Sequence, residues 1–361
     1  MRVLHIIADG NPGGGTTHVL HVLDSLTHTY TCGVITQSDS YLLREVQARG
    51  IQAIGVDFFR HRLNPTLPRQ LRSLITQCAP QLIHIHGGRA GLWTTLAATG
   101  LPTIYTVHGF HFLHKSPLMR RLAIVSERVV IRRASRTIFV SHHDAQIAQA
   151  YRLLGPRQQS AVIYNGIELP TLPRSIPSPP AGHLGFIGRL EYQKDPGLFV
   201  EMMSHLPGYT ATMIGGGALA AAVAADIARR GLEARVRLLG PLTHRDTLDV
   251  LPSLSALVMT SRWEGLPLVP LEAMWYGIPV VALDVGGLSE IIEDGRHGRL
   301  LQSRSAADLA QAVRSVTAEH TVRERIIQQA RTRVQTLFSV DTMAASLQQV
   351  YETVVTEARR R

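Results

Sequence analysis

Short apolar, β-branched runs alternate with stretches of helical periodicity along the whole chain. In the first half the apolar runs fall at 3–8, 32–36, 53–56, 82–86, 103–107, 137–140 and 161–164. A second series falls at 184–187, 211–214, 236–239, 256–259, 280–283 and 299–301. These runs are apolar throughout instead of alternating, which predicts strands buried on both faces, hence parallel sheets covered by helices. Between the two series lies a stretch carrying Pro170, Pro173, Pro177, Pro179 and Pro180, a composition that excludes regular structure and reads as a linker. The expected organisation is a first doubly wound domain over 1–166, a linker over 167–182 and a second doubly wound domain over 183–340. From Ala306 onward the pattern is helical. In its last part Met343, Leu347, Val350 and Val354 recur at steps of three and four, which predicts a helix over about 341–361 that packs back on the first domain.

A length of 361 residues suits two domains of ordinary size. Cys32 and Cys78 are the only cysteines, and their spacing fits neither a CxxC nor a metal motif. They read as free buried thiols in a reducing, cytoplasmic setting. The opening apolar run is too short for a signal peptide or a membrane span. The net charge of +10 is lopsided: residues 1–166 hold 17 Lys/Arg against 7 Asp/Glu, and residues 167–361 hold 20 against 20. Such an excess in one half suits nucleic acid, anionic lipid or a phosphate-bearing ligand, and composition alone does not choose among them. One sharper candidate is a helix from Pro117 to Arg133. It places Leu118, Leu122, Val125 and Val129 on one stripe flanked by Arg121, Arg128 and Arg132, which suits either a core-facing helix with a solvated edge or a membrane-surface helix.

The richest chemistry follows the strand ending at Met259. Gly265 permits close backbone approach, and Pro267 suits the first turn of a helix whose free amides favour an anion. Glu264 and Glu272 stand eight residues apart, about 12 Å along a helical path. They are too distant to share a proton, and each is free to grip a different hydroxylated part of one extended ligand. At the start of the second domain, Arg189 and Lys194 follow a strand end and are spaced to converge on one anion. Gly13, Gly14 and Gly15 follow the first strand, and Gly215, Gly216 and Gly217 follow another. His108 ends a first-domain strand. His84 and His86 leave a strand on one face, where a core pair and an acceptor pocket are equally good readings. His108, His111 and His114 form an HxxHxxH run, but that spacing off a regular helix is nonspecific, and no metal is expected.

The segment Glu264 to Glu272, continued by Gly277-Ile278-Pro279-Val280-Val281 and Val285-Gly286-Gly287, resembles the E-x7-E signature of retaining glycosyltransferase family 4. That family has the GT-B fold, two Rossmann-like domains facing across a cleft, and the resemblance covers nearly the whole chain. It implies that Glu264 contacts donor-sugar hydroxyls, that Glu272 holds the ribose, and that the amides of Gly265 and Leu266 lie near the diphosphate. Arg189 and Lys194 would neutralise the pyrophosphate, and His108 would contact the sugar near the reacting centre. Gly14, Gly15 and Gly216 would border the donor. Two departures stand out: Asp195-Pro196 replaces the glycine that commonly follows the lysine, and Gly216 replaces the Asp of a Gly-Asp-Gly turn. The implied reaction is front-face transfer with retention from a UDP- or GDP-sugar to a glycan or polyprenyl-diphosphate-linked acceptor. It would need no cofactor, since Arg189 and Lys194 replace a divalent ion, and the setting would be bacterial surface-polysaccharide or lipid-linked glycan synthesis. The protein is expected in the cytoplasm, peripheral on the inner face of an anionic membrane, without nucleic acid. The rival readings are a noncatalytic sugar-nucleotide-binding subunit, an epimerase or phosphorylase on the same fold, and a dinucleotide oxidoreductase. The last lacks a full GxGxxG with its ribose-binding acid.

Overall fold

The computed structural model describes residues 1–59, 64–156, 158–171 and 182–360, so most of the expected linker lies outside the described residues. Two compact units divide the chain: Met1–Gly166 with Val340–Arg361, and Ile167–Ser339.

The first unit runs β1 (Arg2–Ile7), α1 (Gly14–Leu26), β2 (Thr31–Gln37), α2 (Tyr41–Ala48), β3 (Gln52–Val56), α3 (Leu67–Cys78), β4 (Leu82–His86), α4 (Gly88–Ala97), β5 (Thr103–Val107), α5 (Pro117–Arg133), β6 (Arg136–Phe139), α6 (His142–Ala150) and β7 (Ser160–Val162). Its strands form one parallel sheet in the order β3-β2-β1-β4-β5-β6-β7. The second unit runs β8 (His183–Ile187), α7 (Pro196–Ser204), β9 (Thr210–Ile214), α8 (Ala220–Arg229), β10 (Val236–Gly240), α9 (His244–Val250), β11 (Ala256–Met259), α10 (Val269–Tyr276), β12 (Val280–Leu283), α11 (Leu288–Ile291), β13 (Arg299–Leu301), α12 (Ala306–Thr317) and α13 (His320–Leu337). Its sheet has the order β10-β9-β8-β11-β12-β13. The chain then returns to the first unit with α14 (Val340–Arg359), whose Met343, Leu347, Tyr351 and Val354 are buried against α1 and the sheet. Both cysteines are free and buried.

The central strands are buried on both faces because each sheet is covered twice, and apart from the histidines of β1 and β4 they are largely apolar. In the first unit Leu4, Ile6, Ile83 and Ile85 face one layer, and Val3, Ile7 and Leu82 face the other. The helix start signals are local: Ser40, Ser141, Thr243 and Ser305 each accept a hydrogen bond from the backbone three residues on, capping α2, α6, α9 and α12.

Two outcomes depart from the local pattern. Helix α10 begins at Val269 with Pro270 in its first turn, so Pro267 belongs to the preceding loop. The helical path assumed between Glu264 and Glu272 therefore covers only its second half. The apolar stripe of α5 does not face the core. Leu118, Met119, Leu122, Val125 and Val129 are exposed, while Val130 and Ile131 are buried and Ala123 and Ile124 are partly buried. Helix α5 has a second apolar face, and the tighter-packed one turns inward.

On its inner side α5 also carries Glu127, whose Oε2 accepts a hydrogen bond from Tyr105 at 2.8 Å. A Cβ at Gly88 would collide with this carboxyl. Burial pushes the Glu127 carboxyl up to about 7, opposed by the Tyr105 hydrogen bond and the charge of Lys115. A carboxyl raised in the folded state costs nothing while protonated in both states, and it costs stability progressively as pH climbs from the ordinary carboxyl range through 7. We expect Glu127→Gln, which keeps an acceptor for Tyr105, to match the parent in urea unfolding at pH 4.5 and to exceed it by about 2 kcal/mol at pH 8. An equal difference at both pH values would contradict this account.

Candidate active site

In an open parallel sheet, loops diverge and leave a crevice where the strand order reverses, beyond the carboxyl ends of the strands. The second unit reverses between β8 and β11, and the loops after those strands carry Arg189, Lys194, Glu264 and Gly265. Lys194 Nζ lies 2.5 Å from Glu264 Oε1, and Ser261 Oγ donates to the same oxygen at 2.6 Å. Both partners are largely shielded, with side-chain exposures of 18% for Lys194 and 5% for Glu264. Thr260 Oγ1 donates to the carbonyls of Lys194 and Asp195, and Arg262 N donates to Gln193 O at 2.7 Å. The two loops are thus stitched into one surface. Arg189 points toward solvent, paired with Glu191 at 2.9 Å and bonded to Gln193.

The two departures from the family pattern have local explanations. Asp195 has a left-handed backbone, φ 48°, the conformation for which glycine is the default. Here the side chain is held by ion pairs to Arg262 and Arg304. In the turn after β9, a Cβ at Gly215 or Gly217 would collide with the carbonyl of Gly188 or Leu190, whereas one at Gly216 would meet Pro241 only at 3.6 Å. Glycine is obligatory on either side of Gly216, while that position has room for a side chain. Gly286, at φ 60°, must be glycine because its Cβ would strike the backbone carbonyl of Glu264, so the loop after β12 packs against the backbone of the loop that carries Glu264.

Glu272 stands in the first turn of α10, buried, with its Oε1 2.7 Å from His244 Nε2. That hydrogen bond holds His244 above its ordinary range against the opposing effect of burial. His244 was not evident in the sequence; its signal is only its place in the first turn of the Thr243-capped α9. Leu266 is buried and anchors the loop, with Gly265 O accepting from Gly287 N at 2.9 Å.

The first unit reverses its strand order between β1 and β4. The helices that leave these strands, α1 and α4, have Gly13 and Gly87 at their N-cap positions, and neither can supply a side-chain cap. A Cβ at Gly13, Gly14 or Gly15 would meet nothing within 4 Å, so packing does not require glycine there. Gly14 and Gly15 form the opening turn of α1 instead of a loop before it. On the face covered by α1 and α14, strand alternation lines up His5, His84, His86 and, past the end of β5, His108, with His18 from α1. His84 is satisfied on both nitrogens, by Tyr351 Oη at 2.5 Å and Thr106 Oγ1 at 2.7 Å. His86 bridges His5 (3.2 Å) and His108 (3.3 Å). Burial holds all five imidazoles below their ordinary range, His5 and His108 at about 4, so they are neutral near pH 7. His84 and His86 are both buried, His84 as a satisfied core residue and His86 in contact with His108. The HxxHxxH run does not assemble. Among the described residues His108 groups with His18 and His86 instead, because His111 and His114 sit on a 3-10 turn.

Comparison with known proteins places both halves of the chain in one family. The profile of Glycosyltransferase Family 4 matches residues 12–170, and that of Glycosyl transferases group 1 matches residues 180–333. A glycogen synthase of Mycobacterium tuberculosis is 30% identical over 70% of this chain, and the match spans 63% of that relative's length, under two thirds. Among solved structures, Anabaena HepE in complex with UDP-glucose superposes with a TM-score of 0.84 at 22% identity, covering 98% of this chain and 100% of that one. Sucrose-phosphate synthase from Thermosynechococcus elongatus does so at 0.84 and 19%, covering 99% and 100%. At these identities the superpositions establish the fold, which is GT-B. With its two halves matched in order by these two profiles, the chain belongs to glycosyltransferase family 4.

Proposed function

We propose that this chain transfers a sugar from a UDP- or GDP-sugar to an acceptor hydroxyl, with retention at the anomeric carbon. The observation that carries this reading is the shielded Lys194–Glu264 pair at the β8/β11 switch point. A diphosphate can draw on the ammonium while the carboxylate turns to sugar hydroxyls. Lys194 and the solvent-facing Arg189 stabilise the charge that grows on the leaving diphosphate, in place of a metal ion. The amides of Gly265, Leu266 and Gly216, and the first turn of α1 at Gly14 and Gly15, border the donor, and Glu272 with His244 grips the ribose. His108 contacts the sugar. Held neutral by burial, it is suited to one hydrogen bond and poorly suited to protonate the leaving group. The departing phosphate therefore takes the acceptor's proton as the new glycosidic bond forms on the face from which the old one breaks. No cofactor is needed. HepE, whose structure holds UDP-glucose, supports this donor class by analogy of fold.

For the acceptor, the exposed stripe of α5 favours a glycan or a polyprenyl-diphosphate-linked substrate at an anionic membrane. Lys115, Arg121, Arg132 and Arg133 are exposed beside Leu118, Leu122, Val125 and Val129, the arrangement that binds acidic lipid surfaces. No described helix is long and apolar enough to cross a membrane, so contact would be peripheral, on the cytoplasmic face. Arg128 and Arg132 already donate to the carbonyls of Tyr151, Arg152 and Leu153, just past the end of α6, which leaves Lys115, Arg121 and Arg133 as the better charge probes.

Three measurements test the proposal. A thermal-shift panel of UDP, GDP and ADP sugars should find one that stabilises the protein. Glu264→Gln should keep nucleotide affinity within about threefold while turnover falls about 10²-fold or more, and Glu272→Gln should chiefly weaken nucleotide binding. Absence of stabilisation by every sugar nucleotide, or equal loss of affinity in both variants, would remove this reading. Sedimentation with phosphatidylglycerol vesicles should drop more than tenfold for the triple variant Lys115→Glu, Arg121→Glu, Arg133→Glu, at about 1 kcal/mol per charge, and likewise for Leu118→Ser with Leu122→Ser. Unchanged binding in both would sink the membrane assignment.

A further inference from the structure

The histidine layer of the first unit holds more nitrogen than a packed core requires. His5, His18, His84, His86 and His108 come from β1, α1, β4 and the end of β5, and their rings lie against one another. A polar group buried without a partner costs roughly 1–3 kcal/mol, so such a layer needs a reason. His84 has one, since both of its nitrogens are hydrogen-bonded. His18 does not. It is 3% exposed, and among the described residues neither of its nitrogens makes a hydrogen bond of good geometry; the Asn165 side chain approaches it, opposing the effect of burial.

We propose that His18, His86 and His108 form a three-nitrogen site for a divalent first-row transition ion. The nitrogens of the three residues lie within 4.8 Å of one another. His86 Nδ1 and His108 Nε2 are 3.3 Å apart, and two imidazoles sharing a tetrahedral ion at 2.0–2.1 Å place their nitrogens about 3.3 Å apart. Bringing in His18 takes a side-chain shift of roughly 1.5 Å or less. The other nitrogen of His86 faces His5 Nδ1 at 3.2 Å, so Nε2–H of His86 donates outward while Nδ1 ligates, the arrangement that orients metal-bound histidines. His108 ligates through Nε2 by carrying its proton on Nδ1. Three neutral nitrogens without a carboxylate or thiolate select zinc, cobalt, nickel or copper over magnesium or calcium. The neighbouring trio His5, His84 and His86 is the weaker choice because His84 has no nitrogen to give. His108 is half-buried while His18 and His86 are buried, so the ion enters past His108. Resting on the proposed function, an ion held there withdraws His108 from the sugar and slows transfer.

The test is titration of the full chain with Co²⁺, read by ligand-field absorption. One equivalent should give intense tetrahedral bands, displaced by Zn²⁺ and unaffected by excess Mg²⁺. His18→Leu removes a buried polar group of similar volume, a change that is neutral or stabilising when no partner is lost, and it should weaken Co²⁺ binding at least tenfold. His108→Ala, at a position less buried than His18, should do the same if the first variant folds poorly. His28→Ala, on an exposed loop, should bind as the parent does. Absence of tetrahedral bands, or bands retained in both ligand variants, would overturn the site. Zn²⁺ at micromolar concentration should inhibit sugar transfer by the parent and not by His18→Leu. Intact bands with no inhibition would keep the site and overturn the role of His108 at the sugar.

Discussion

Reversal of strand order is the constraint from which both sites follow. A right-handed crossover that leaves a parallel strand must return to the same sheet, and where successive crossovers go to opposite faces, the loops at the strand ends part. In the first unit this happens between β1 and β4, in the second between β8 and β11. The residues with unusual chemistry gather at those ends: the glycine-started α1 and α4 with His86 and His108 in one unit, and Lys194, Glu264 and the glycine turns in the other. Away from those ends the buried strand side chains are mostly apolar and fill the layers, with His5 and His84 among the exceptions, extending the histidine layer into the first sheet.

Close backbone approach then determines much of the detail. Gly215, Gly217 and Gly286 are glycines because carbonyls of neighbouring loops occupy the space a Cβ would need. The loops after β8, β9, β11 and β12 can therefore pack into one surface around Glu264. Within it, Lys194 and Glu264 neutralise each other, which matters because an unpaired charge so shielded costs several kcal/mol. Asp195 shows a second solution to the same constraint, with two arginines holding an acidic residue in a backbone conformation that glycine adopts freely. In the first unit, desolvation works on neutral groups, and burial keeps the imidazoles uncharged instead of pairing them with acids.

Helix α5 shows the reach and the limit of periodicity. Spacing identified Leu118, Leu122, Val125 and Val129 as one stripe, and they are one. Spacing does not say what a stripe faces. Because Ala123, Ile124, Val130 and Ile131 supply another apolar face, the helix had two ways to dock, and only packing against α4 and the sheet selected one.

The sequence by itself determined the strands, the helices, their parallel class and the division into two halves. A doubly buried strand must be a continuous apolar run, and a helix must repeat at three and four residues, so these are local requirements visible in one dimension. It also singled out Lys194, Glu264 and the glycine turns, each in a loop that follows a strand, and Glu272 by its spacing from Glu264. Tertiary structure alone decided which of these meet. The Lys194–Glu264 pair joins residues 70 positions apart, His244 reaches Glu272 from another helix, and the return of α14 brings Tyr351 to His84 across 267 positions. The histidine layer is the plainest case. Only His84 and His86 share a spacing, and His5, His18 and His108 join them because the order β1-β4-β5 and the packing of α1 on that face bring them together.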